Sequence, residues 1–345
     1  MDSRIALEPA APLRLVNREG GATLYTILRE IGRGASSLVY EASYEATTGD
    51  RKLVRIKECY PHKLNIRRLP DGSLLPAPED EASFEAAKRK LRSDFSVSNG
   101  LFYAEGLQGT FVDQLDVHDC NNTSYIVSAF SSEKTLANYR PPTVRECVTL
   151  VRQVAYVLCS IHREGYLYLD IKPDNVLVIE GLPTRIQLFD FDSLVPIAAA
   201  RGAGSADCAD VRLSYSQGFA PVELQTGRLR RLGPHTDVFG IGALLYYLLF
   251  GTTPDAMDCE QDAAYDFSRM TYDARCFDDK LFDALTGFFR RALASYYLDR
   301  CRTMQEAFDL LCGIERCADT TVPRVLSSAV RRPPLLIGRE RELAR

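Results

Sequence analysis

An eight-residue segment, Tyr-Leu-Asp-Ile-Lys-Pro-Asp-Asn at positions 168–175, concentrates groups that can do chemistry. The carboxylate of Asp170 can accept a proton from a hydroxyl group, and the ammonium of Lys172 can neutralise a phosphoryl group during its transfer. The carboxamide of Asn175 can hold a metal ion through its oxygen. A solvated surface turn could have a similar composition, but the order Asp-x-Lys-Pro-x-Asn before the apolar residues 176–178 favours a site for phosphoryl transfer.

A second acidic group follows a short apolar stretch. Residues 186–189 have the pattern of a strand, and Asp190 and Asp192 come at its end. A carboxylate in that position can bind Mg²⁺ that bridges the phosphates of a nucleotide.

Two glycines, Gly32 and Gly34, lie between residues with strand-like patterns. Glycine lets backbone N–H groups approach a phosphate, although tight turns use glycine for the same freedom. Ser37 stands where a full Gly-x-Gly-x-x-Gly pattern has its third glycine, and no helix follows at once, which weighs against a dinucleotide-binding unit. Further along, Lys57 ends an alternating strand and can reach phosphates as a point charge.

The elements that must position these groups divide the chain into two parts. Strand patterns dominate the first third, where one helix is predicted over residues 79–99. Helices dominate the remainder and are predicted over residues 144–163, 237–250, 279–293 and 304–312. A long loop is predicted over residues 195–218, and a loose arm over residues 1–22.

In this order and spacing, the motifs resemble those of the eukaryotic-type protein kinases, and of bacterial Ser/Thr kinases in particular. The resemblance runs from about residue 23 to about residue 313. It includes a glycine-rich loop, a strand lysine, a catalytic loop and the metal-binding aspartate of a DFG-type motif. It also includes an Ala-Pro-x-Glu element ending at Glu223, an aspartate at the start of a buried helix, Asp237, and a late arginine that pairs with Glu223, Arg300.

The resemblance implies an α+β, bilobal protein-kinase fold. The expected parts are an N-terminal arm (residues 1–22), a small N-lobe with an antiparallel sheet and one helix (23–130), a mainly helical C-lobe (131–318) and a linker or tail (319–345).

The same resemblance implies a protein Ser/Thr kinase that uses ATP with Mg²⁺ and acts on a protein substrate. Asp170 would orient the acceptor hydroxyl, Lys172 would steady the γ-phosphoryl group, and Lys57 would orient the α- and β-phosphates. A lysine two residues after the catalytic aspartate is typical of kinases with Ser or Thr acceptors. The remaining nucleotide contacts would come from Gly32, Gly34, Val39, Ala129, Phe130, Asn175 and Asp190, with Asn175 and Asp190 also holding the metal.

Three positions depart from the family's pattern. Tyr168 and Leu169 stand where the family has His and Arg, and that arginine normally contacts a phosphate on the activation loop. Its absence weighs against switching by loop phosphorylation. Asp192 replaces the glycine of DFG, so the loop loses a flexible hinge and gains a carboxylate that either draws a second cation or faces solvent.

The helix after Lys57 should supply an acid that pairs with this lysine. Asp94 has apolar residues three positions before and after it, Leu91 and Val97, which fits a helix packed on the sheet. Glu85 is the second candidate.

Residues 125–130 are predicted as the strand that leads into the hinge between the lobes. Ser128 would guard the rear of the adenine pocket, and the backbone of Ala129 and Phe130 would face the adenine edge. Residues 59–78 form an insertion before the helix.

Other side chains have both a structural and a functional interpretation. His162 is predicted to be a packed structural histidine rather than a catalytic base. The arginines at positions 228, 230 and 231 form either a solvated face or a surface for an acidic substrate. Hydroxyl groups of the predicted loop are candidates for autophosphorylation, namely those of Ser205, Ser214, Tyr215 and Ser216.

Composition narrows the class of protein. The 345 residues have a formal net charge of −4, which gives no support to nucleic-acid binding. No apolar run reaches the roughly 18 residues of a membrane span, and no secretory signal pattern is present at the start. The 10 cysteines are scattered without Cys-x-x-Cys spacing, so reduced thiols in a cytoplasmic protein are expected.

The last residues contain Gly-Arg-Glu-Arg-Glu-Leu at positions 338–343, which resembles the lead-in to signalling NTPase domains of the AAA/STAND type. A fused C-terminal NTPase domain is therefore one expectation, and a basic solvated tail is the other.

Three functions remain open on the sequence alone. The first is an active protein Ser/Thr kinase. The second is a pseudokinase that binds ATP as a scaffold or sensor, which Leu169 and Asp192 motivate. The third is a small-molecule kinase of similar fold, against which Lys172, Arg300 and the Ala-Pro-x-Glu element weigh.

Overall fold

The computed structural model describes residues 2–16, 20–104, 107, 109–132, 134–200, 213, 215–260 and 278–320. The chain divides into two compact units, residues 1–131 and residues 132–345. The first unit is built mainly of strands with one long helix, and the second is mainly helical, as predicted for the two lobes. The predicted α+β class is confirmed.

The first unit contains a six-stranded antiparallel sheet with the strand order β1-β2-β3-β4-β8-β7. Strand β3 is buried along most of its length, and β4 alternates between buried and partly exposed side chains from Val54 to Glu58. The bounds are β1 (Pro12–Val16), β2 (Ala22–Arg33), β3 (Ser37–Glu45), β4 (Arg51–Cys59), β7 (Gln114–Cys120) and β8 (Thr123–Ala129).

The prediction of a loose arm over residues 1–22 is wrong for strand β1. This strand pairs antiparallel with β2, from Pro12 opposite Thr26 to Val16 opposite Ala22. Leu13 is 3% exposed and Leu15 is fully buried. The alternating leucines therefore attach the arm to the core, and a boundary at residue 23 would cut through β2.

The insertion at residues 59–78 contains a short antiparallel hairpin of β5 (Ile66–Arg68) and β6 (Leu74–Pro76). A 3₁₀ turn, Pro78–Asp80, then leads into helix α1 (Glu81–Phe102). Phe84 and Leu91 of this helix are buried in the same hydrophobic cluster as the strands. The predicted helix is thus present and extends three residues further than residue 99.

The second unit is organised around helices. They are α2 (Val144–Arg163), α3 (Ile197–Ala200), α4 (Val222–Gln225), α5 (Pro234–Phe250), α6 (Ala256–Glu260), α7 (Asp279–Ala292) and α8 (Met304–Thr320). Two short antiparallel ladders accompany them. These pair β9 (Tyr166–Leu167) with β12 (Val195–Pro196), and β10 (Val176–Ile179) with β11 (Arg185–Leu188).

The sequence explains the limits of the two main helices. Thr143 caps α2 by accepting a hydrogen bond from the Glu146 amide at 3.1 Å. Helix α5 ends at Gly251, whose φ of 75° is the left-handed conformation that glycine adopts at low cost. Within α5, a Cβ added at Gly242 would lie 2.8 Å from the Ala292 Cβ, so glycine allows α7 to approach closely.

Helix α5 is buried on nearly all sides, which explains its continuous apolar sequence. No described helix is both long and apolar enough to cross a lipid bilayer. The described cysteines have free thiols, as expected, and Cys208 and Cys276 lie outside the described residues. The predicted loop hydroxyls of Ser205 and Ser214 and the tail at 321–345 also lie outside them.

Candidate active site

The catalytic loop brings three of the predicted side chains together. It connects β9 to β10 through a 3₁₀ turn, Pro173–Asn175. The carboxylate of Asp170 accepts a hydrogen bond from Lys172 Nζ at 2.7 Å on Oδ2. Asn175 Nδ2 donates to the same oxygen at 3.1 Å and to the backbone carbonyl of Asp170 at 2.9 Å. Because Asp170 is only 5% exposed, its carboxylate is held in one orientation by these donors.

Asp237 at the start of α5 holds the backbone of this loop. Its carboxylate accepts hydrogen bonds from the amides of Tyr168 at 2.9 Å and Leu169 at 2.8 Å, and from His162 Nε2 at 2.7 Å. Leu169 has a φ of 64°, which a branched residue adopts only when its surroundings impose it. The buried aspartate therefore stabilises a strained turn just before Asp170. His162 has the structural role that its sequence context predicts.

Sequence reasoning missed a further contact to the catalytic carboxylate. The hydroxyl of Ser216 donates to Asp170 Oδ1 at 2.9 Å, and Ser216 itself is buried. The sequence makes this serine a candidate for phosphorylation, but its hydroxyl is engaged in the hydrogen bond to the Asp170 carboxylate. A sequence feature that could have predicted this contact is the position of Ser216 at the start of the segment that ends at Glu223. Tyr215, its neighbour, is 43% exposed.

The predicted metal ligands lie close together in the second unit. The amide of Phe189 donates to the backbone carbonyl of Asn175 at 3.2 Å, which places Asp190 next to Asn175. Asp190 has a φ of 65°, a conformation that aspartate tolerates better than most residues. A carboxylate and a carboxamide supply the hard oxygen ligands that Mg²⁺ prefers, so this donor set fits the expected ion. In the described part of the chain, no cluster of three or more His, Cys, Asp or Glu side chains could hold a metal.

Tyr168, which departs from the family's pattern, supports the metal-binding segment. Its hydroxyl donates to the carbonyl of Phe189 at 2.7 Å, and its ring meets that of Phe191 edge to face at 6.0 Å. Burial, and then the surrounding carboxylates of Asp190 and Asp170, raise the pKa of Tyr168 well above its usual value. The phenol therefore keeps its proton and remains a donor.

Asp174 lies in the same loop and is partly buried. Burial raises the pKa of this carboxyl, and the charge of Lys172 opposes the shift. One of its oxygens is buried without a hydrogen-bond partner.

In the first unit, the strand register aligns the predicted nucleotide-binding residues. Gly32 lies opposite Val39, and Val39 lies opposite Lys57. Directly paired residues of neighbouring strands share a face, so Val39 and Lys57 present their side chains on the same side of the sheet. On β8, Ala129 lies opposite Val54. Phe130 follows β8, with its ring 5.2 Å from the guanidinium carbon of an arginine on β4, Arg55.

Both candidates for the acid on α1 have partners on the same helix. Asp94 forms an ion pair with Lys90 at 2.7 Å, and Glu85 pairs with Lys88 at 2.5 Å. Leu91 is buried, as the choice of Asp94 requires. The pairing of Lys57 with either acid stays a prediction.

The late arginine pairs with the Ala-Pro-x-Glu element as the sequence predicts. Arg300 Nη1 donates to Glu223 Oε1 at 2.6 Å and Nη2 to Oε2 at 3.2 Å. Both side chains are buried, at 0% and 2% exposure. This bidentate pair ties the start of α4 to the segment before α8.

Comparison with known proteins places this arrangement in a family. The family model described as "Protein kinase domain" matches residues 109–301. The smooth muscle myosin light chain kinase of Gallus gallus is 30% identical over 144 residues, which are 42% of this chain and 7% of that protein. Serine/threonine-protein kinase F of Synechocystis is 26% identical over 193 residues, 55% of this chain and 36% of that protein.

Among solved structures, the apo form of PpkA-294 matches with a TM-score of 0.62 and 24% identity, over 89% of this chain and 99% of that one. That likeness concerns the fold. The matched part of the chain spans only 36% of the length of kinase F and 7% of the length of the myosin light chain kinase. The family match covers more than half of the chain and contains the loop in which Asp170, Lys172 and Asn175 meet, and the chain belongs to the protein kinase domain family.

Proposed function

We propose that the chain is an ATP-dependent protein Ser/Thr kinase that transfers the γ-phosphoryl group to a Ser or Thr hydroxyl of a protein. The observation that carries the proposal is the Asp170 carboxylate, held by Lys172 on one oxygen and by Ser216 on the other. A buried, oriented carboxylate beside a lysine is what a phosphoryl-transfer site needs to position a hydroxyl acceptor.

Each residue then has a chemical role. Asp170 orients the acceptor hydroxyl and accepts its proton as the new bond to the γ-phosphorus forms, while the bond from that phosphorus to the β–γ bridging oxygen breaks and ADP leaves with the electron pair. Lys172 stabilises the negative charge on the phosphoryl oxygens. Asn175 and Asp190 would hold Mg²⁺, which supplies charge neutralisation for the phosphates when it is bound.

The first unit supplies the nucleotide contacts in this proposal. Lys57 orients the α- and β-phosphates as a point charge, and Val39 on the same sheet face covers the base. Backbone groups of Gly32 and Gly34 approach the phosphates, and those of Ala129 and Phe130 face the adenine edge. The family match begins at residue 109, so these roles rest on the sequence motifs and on the strand register.

Two observations support Ser or Thr as the acceptor. One is the lysine two residues after Asp170, and the other is the similarity to kinase F, a Ser/Thr kinase. We place the protein in the cytoplasm and its substrate among proteins. A fused NTPase domain stays a prediction.

The test is to offer one labelled ATP pool to three acceptors: a generic protein, a sugar and an aminoglycoside. Label should enter the protein as phosphoserine or phosphothreonine, and Asp170→Ala and Lys57→Ala should abolish transfer. Asp283→Ala and Lys280→Ala remove the same charges from exposed positions of α7 and serve as matched controls. Label in a small molecule alone would support the small-molecule kinase, and ATP binding without transfer would support the pseudokinase.

A further inference from the structure

The turn of the glycine-rich loop, Gly34–Ser37, is held at every carbonyl by groups of the same unit. The amide of Gly34 donates to the Ser37 carbonyl at 2.9 Å and closes the turn. The carbonyl of Ser36 accepts from the Tyr60 amide at 2.9 Å, and that of Ala35 accepts from the His62 amide at 3.0 Å. One side of the turn is therefore fixed by the chain that continues from β4.

The other side of the turn is fixed by Arg4 from the N-terminal arm. Its Nη2 donates to the Gly34 carbonyl at 2.9 Å, and its Nη1 donates to the Ser37 carbonyl at 3.3 Å. The same Nη1 also donates to the Tyr60 carbonyl at 2.5 Å. One guanidinium thus joins both ends of the turn to the end of β4, and it is only 8% exposed. A planar group with five donors suits this task, which a lysine could fulfil only in part.

Asp2 orients the guanidinium of Arg4, and Arg33 holds the backbone of the same residue. Asp2 accepts from Arg4 Nε at 2.9 Å and from Arg4 Nη2 at 2.5 Å, a bidentate pair. Arg33, which is the residue between the two loop glycines, donates to the backbone carbonyl of Arg4 at 3.0 Å. The loop and the arm therefore hold each other through side chains of both.

A buried polar network anchors the rest of the arm. The Ile5 carbonyl accepts from Arg68 Nε at 2.8 Å, and the Leu7 amide donates to the Tyr40 hydroxyl at 3.2 Å. Arg68 and Tyr40 both contact the carboxylate of Glu58, at 2.5 Å and 2.8 Å. Glu58 is fully buried and follows Lys57 in β4. The arm is thus connected to the strand that carries the phosphate-binding lysine of the proposed function.

We propose that residues 2–7 form a brace that fixes the conformation of the glycine-rich loop for nucleotide binding, with Arg4 as its positioning residue. The proposal rests on the proposed function insofar as the bound nucleotide is ATP. A glycine-containing loop loses much conformational freedom when it closes on a ligand, and a loop that is already ordered loses less. The brace should therefore lower the KM for ATP and leave kcat nearly unchanged, because the hydrogen bonds of the Arg4 guanidinium given above are all to groups of the first unit, whereas the catalytic carboxylate belongs to the second.

The test compares Arg4→Ala with Arg14→Ala in the full chain, purified with a C-terminal tag. Arg14 is exposed on β1 of the same arm, so its variant removes an equal charge and leaves the brace intact. We expect Arg4→Ala to weaken binding of a fluorescent ATP analogue and to raise the KM for ATP about tenfold, with kcat within about threefold. Arg4→Lys should recover part of the affinity, and Arg14→Ala should match the wild type.

Equal ATP affinity of Arg4→Ala and Arg14→Ala would overturn the brace, as would a loss confined to kcat. If Arg4→Ala does not fold, Asp2→Asn and Arg4→Lys supply the same comparison, and affinities equal to the wild type in both would overturn it. The binding readout needs no phosphoryl transfer. If the wild type binds ATP but transfers no label to protein, the proposed function is contradicted. The ATP affinities of the variants would still test the brace in that case.

Discussion

The Ser216 hydroxyl donates to Asp170 Oδ1 at 2.9 Å across 46 residues of sequence. This bond connects the segment before the Ala-Pro-x-Glu element to the catalytic loop. Since Lys172 and Asn175 bind the other oxygen, the carboxylate is fixed on both sides. The placement of Asp170 therefore depends on a loop that is distant in the sequence.

Ser216→Ala should reduce the rate of phosphoryl transfer by roughly 10-fold to 100-fold, because a hydrogen bond to a charged group is lost. Ser216→Thr retains the hydroxyl and should keep most of the activity. Tyr215→Phe removes the neighbouring hydroxyl and serves as the control. Steady-state rates at saturating ATP provide the measurement, and a Ser216→Ala variant as fast as Tyr215→Phe would show that the bond is dispensable.

Leu169 lies in an apolar cluster where the family has an arginine. The cluster comprises Leu167, Leu169, Val195, Ala200, Ala220, Leu224 and Leu232. Leu169→Arg would bury a guanidinium among these side chains and should destabilise the protein by about 3 kcal/mol or more, whereas Leu169→Met should cost less than about 1.5 kcal/mol. Urea unfolding measures both. An arginine variant as stable as the methionine one, and newly activated by loop phosphorylation, would contradict the account.

The Arg300–Glu223 pair is fully buried, so removal of one partner should cost more than removal of both. Arg300→Met leaves a buried carboxylate without its partner and should lower the free energy of unfolding by about 3–5 kcal/mol. The double variant Arg300→Met/Glu223→Leu should recover a large part of that loss. A double-mutant cycle by urea denaturation tests this, and strictly additive effects would rule out a direct coupling between the two side chains.

Long periodic elements of the fold were predictable, and short or non-local features were not. The sequence predicts helices α2 and α5 because apolar residues recur at helical spacing in α2 and form a nearly continuous run in α5. Strand β7 was missed because charged residues interrupt its apolar alternation. Strand β1 is five residues long and begins at a proline, so it resembled a loose arm.

The same distinction applies to the site. Asp170, Lys172 and Asn175 are close in sequence, and one motif predicts all three. The contact of Ser216 with Asp170 and that of Arg4 with Gly34 join segments that are 46 and 30 residues apart. No local pattern specifies such contacts, because they depend on how the segments pack.

Because the folded protein binds a proton at His235 less readily than the unfolded chain does, the free energy of unfolding should fall as the pH falls. Burial is the main cause that lowers its pKa below the usual value; Arg300 acts in the same direction, while Arg231, Glu223 and Asp237 oppose it. As the pH falls below about 6.5, the unfolded chain takes up a proton at this residue before the folded chain does. The histidine's contribution to stability is thus present above that pH and lost below it.

His235→Gln should therefore lose less stability than the wild type between pH 7 and pH 5. Thermal unfolding across this range measures the difference, with His62→Gln as the exposed-histidine control. Parallel pH profiles of the wild type and His235→Gln would refute the assignment.

The most direct test of the central claim is the transfer rate of Asp170→Asn, measured with its ATP affinity on the same preparation. Asparagine keeps the size of the side chain but cannot accept the hydroxyl proton as a carboxylate does. We expect kcat to fall roughly 10²-fold to 10⁴-fold, with the dissociation constant for ATP nearly unchanged. A kcat within about tenfold of the wild type would contradict the role of Asp170 as the group that accepts the proton.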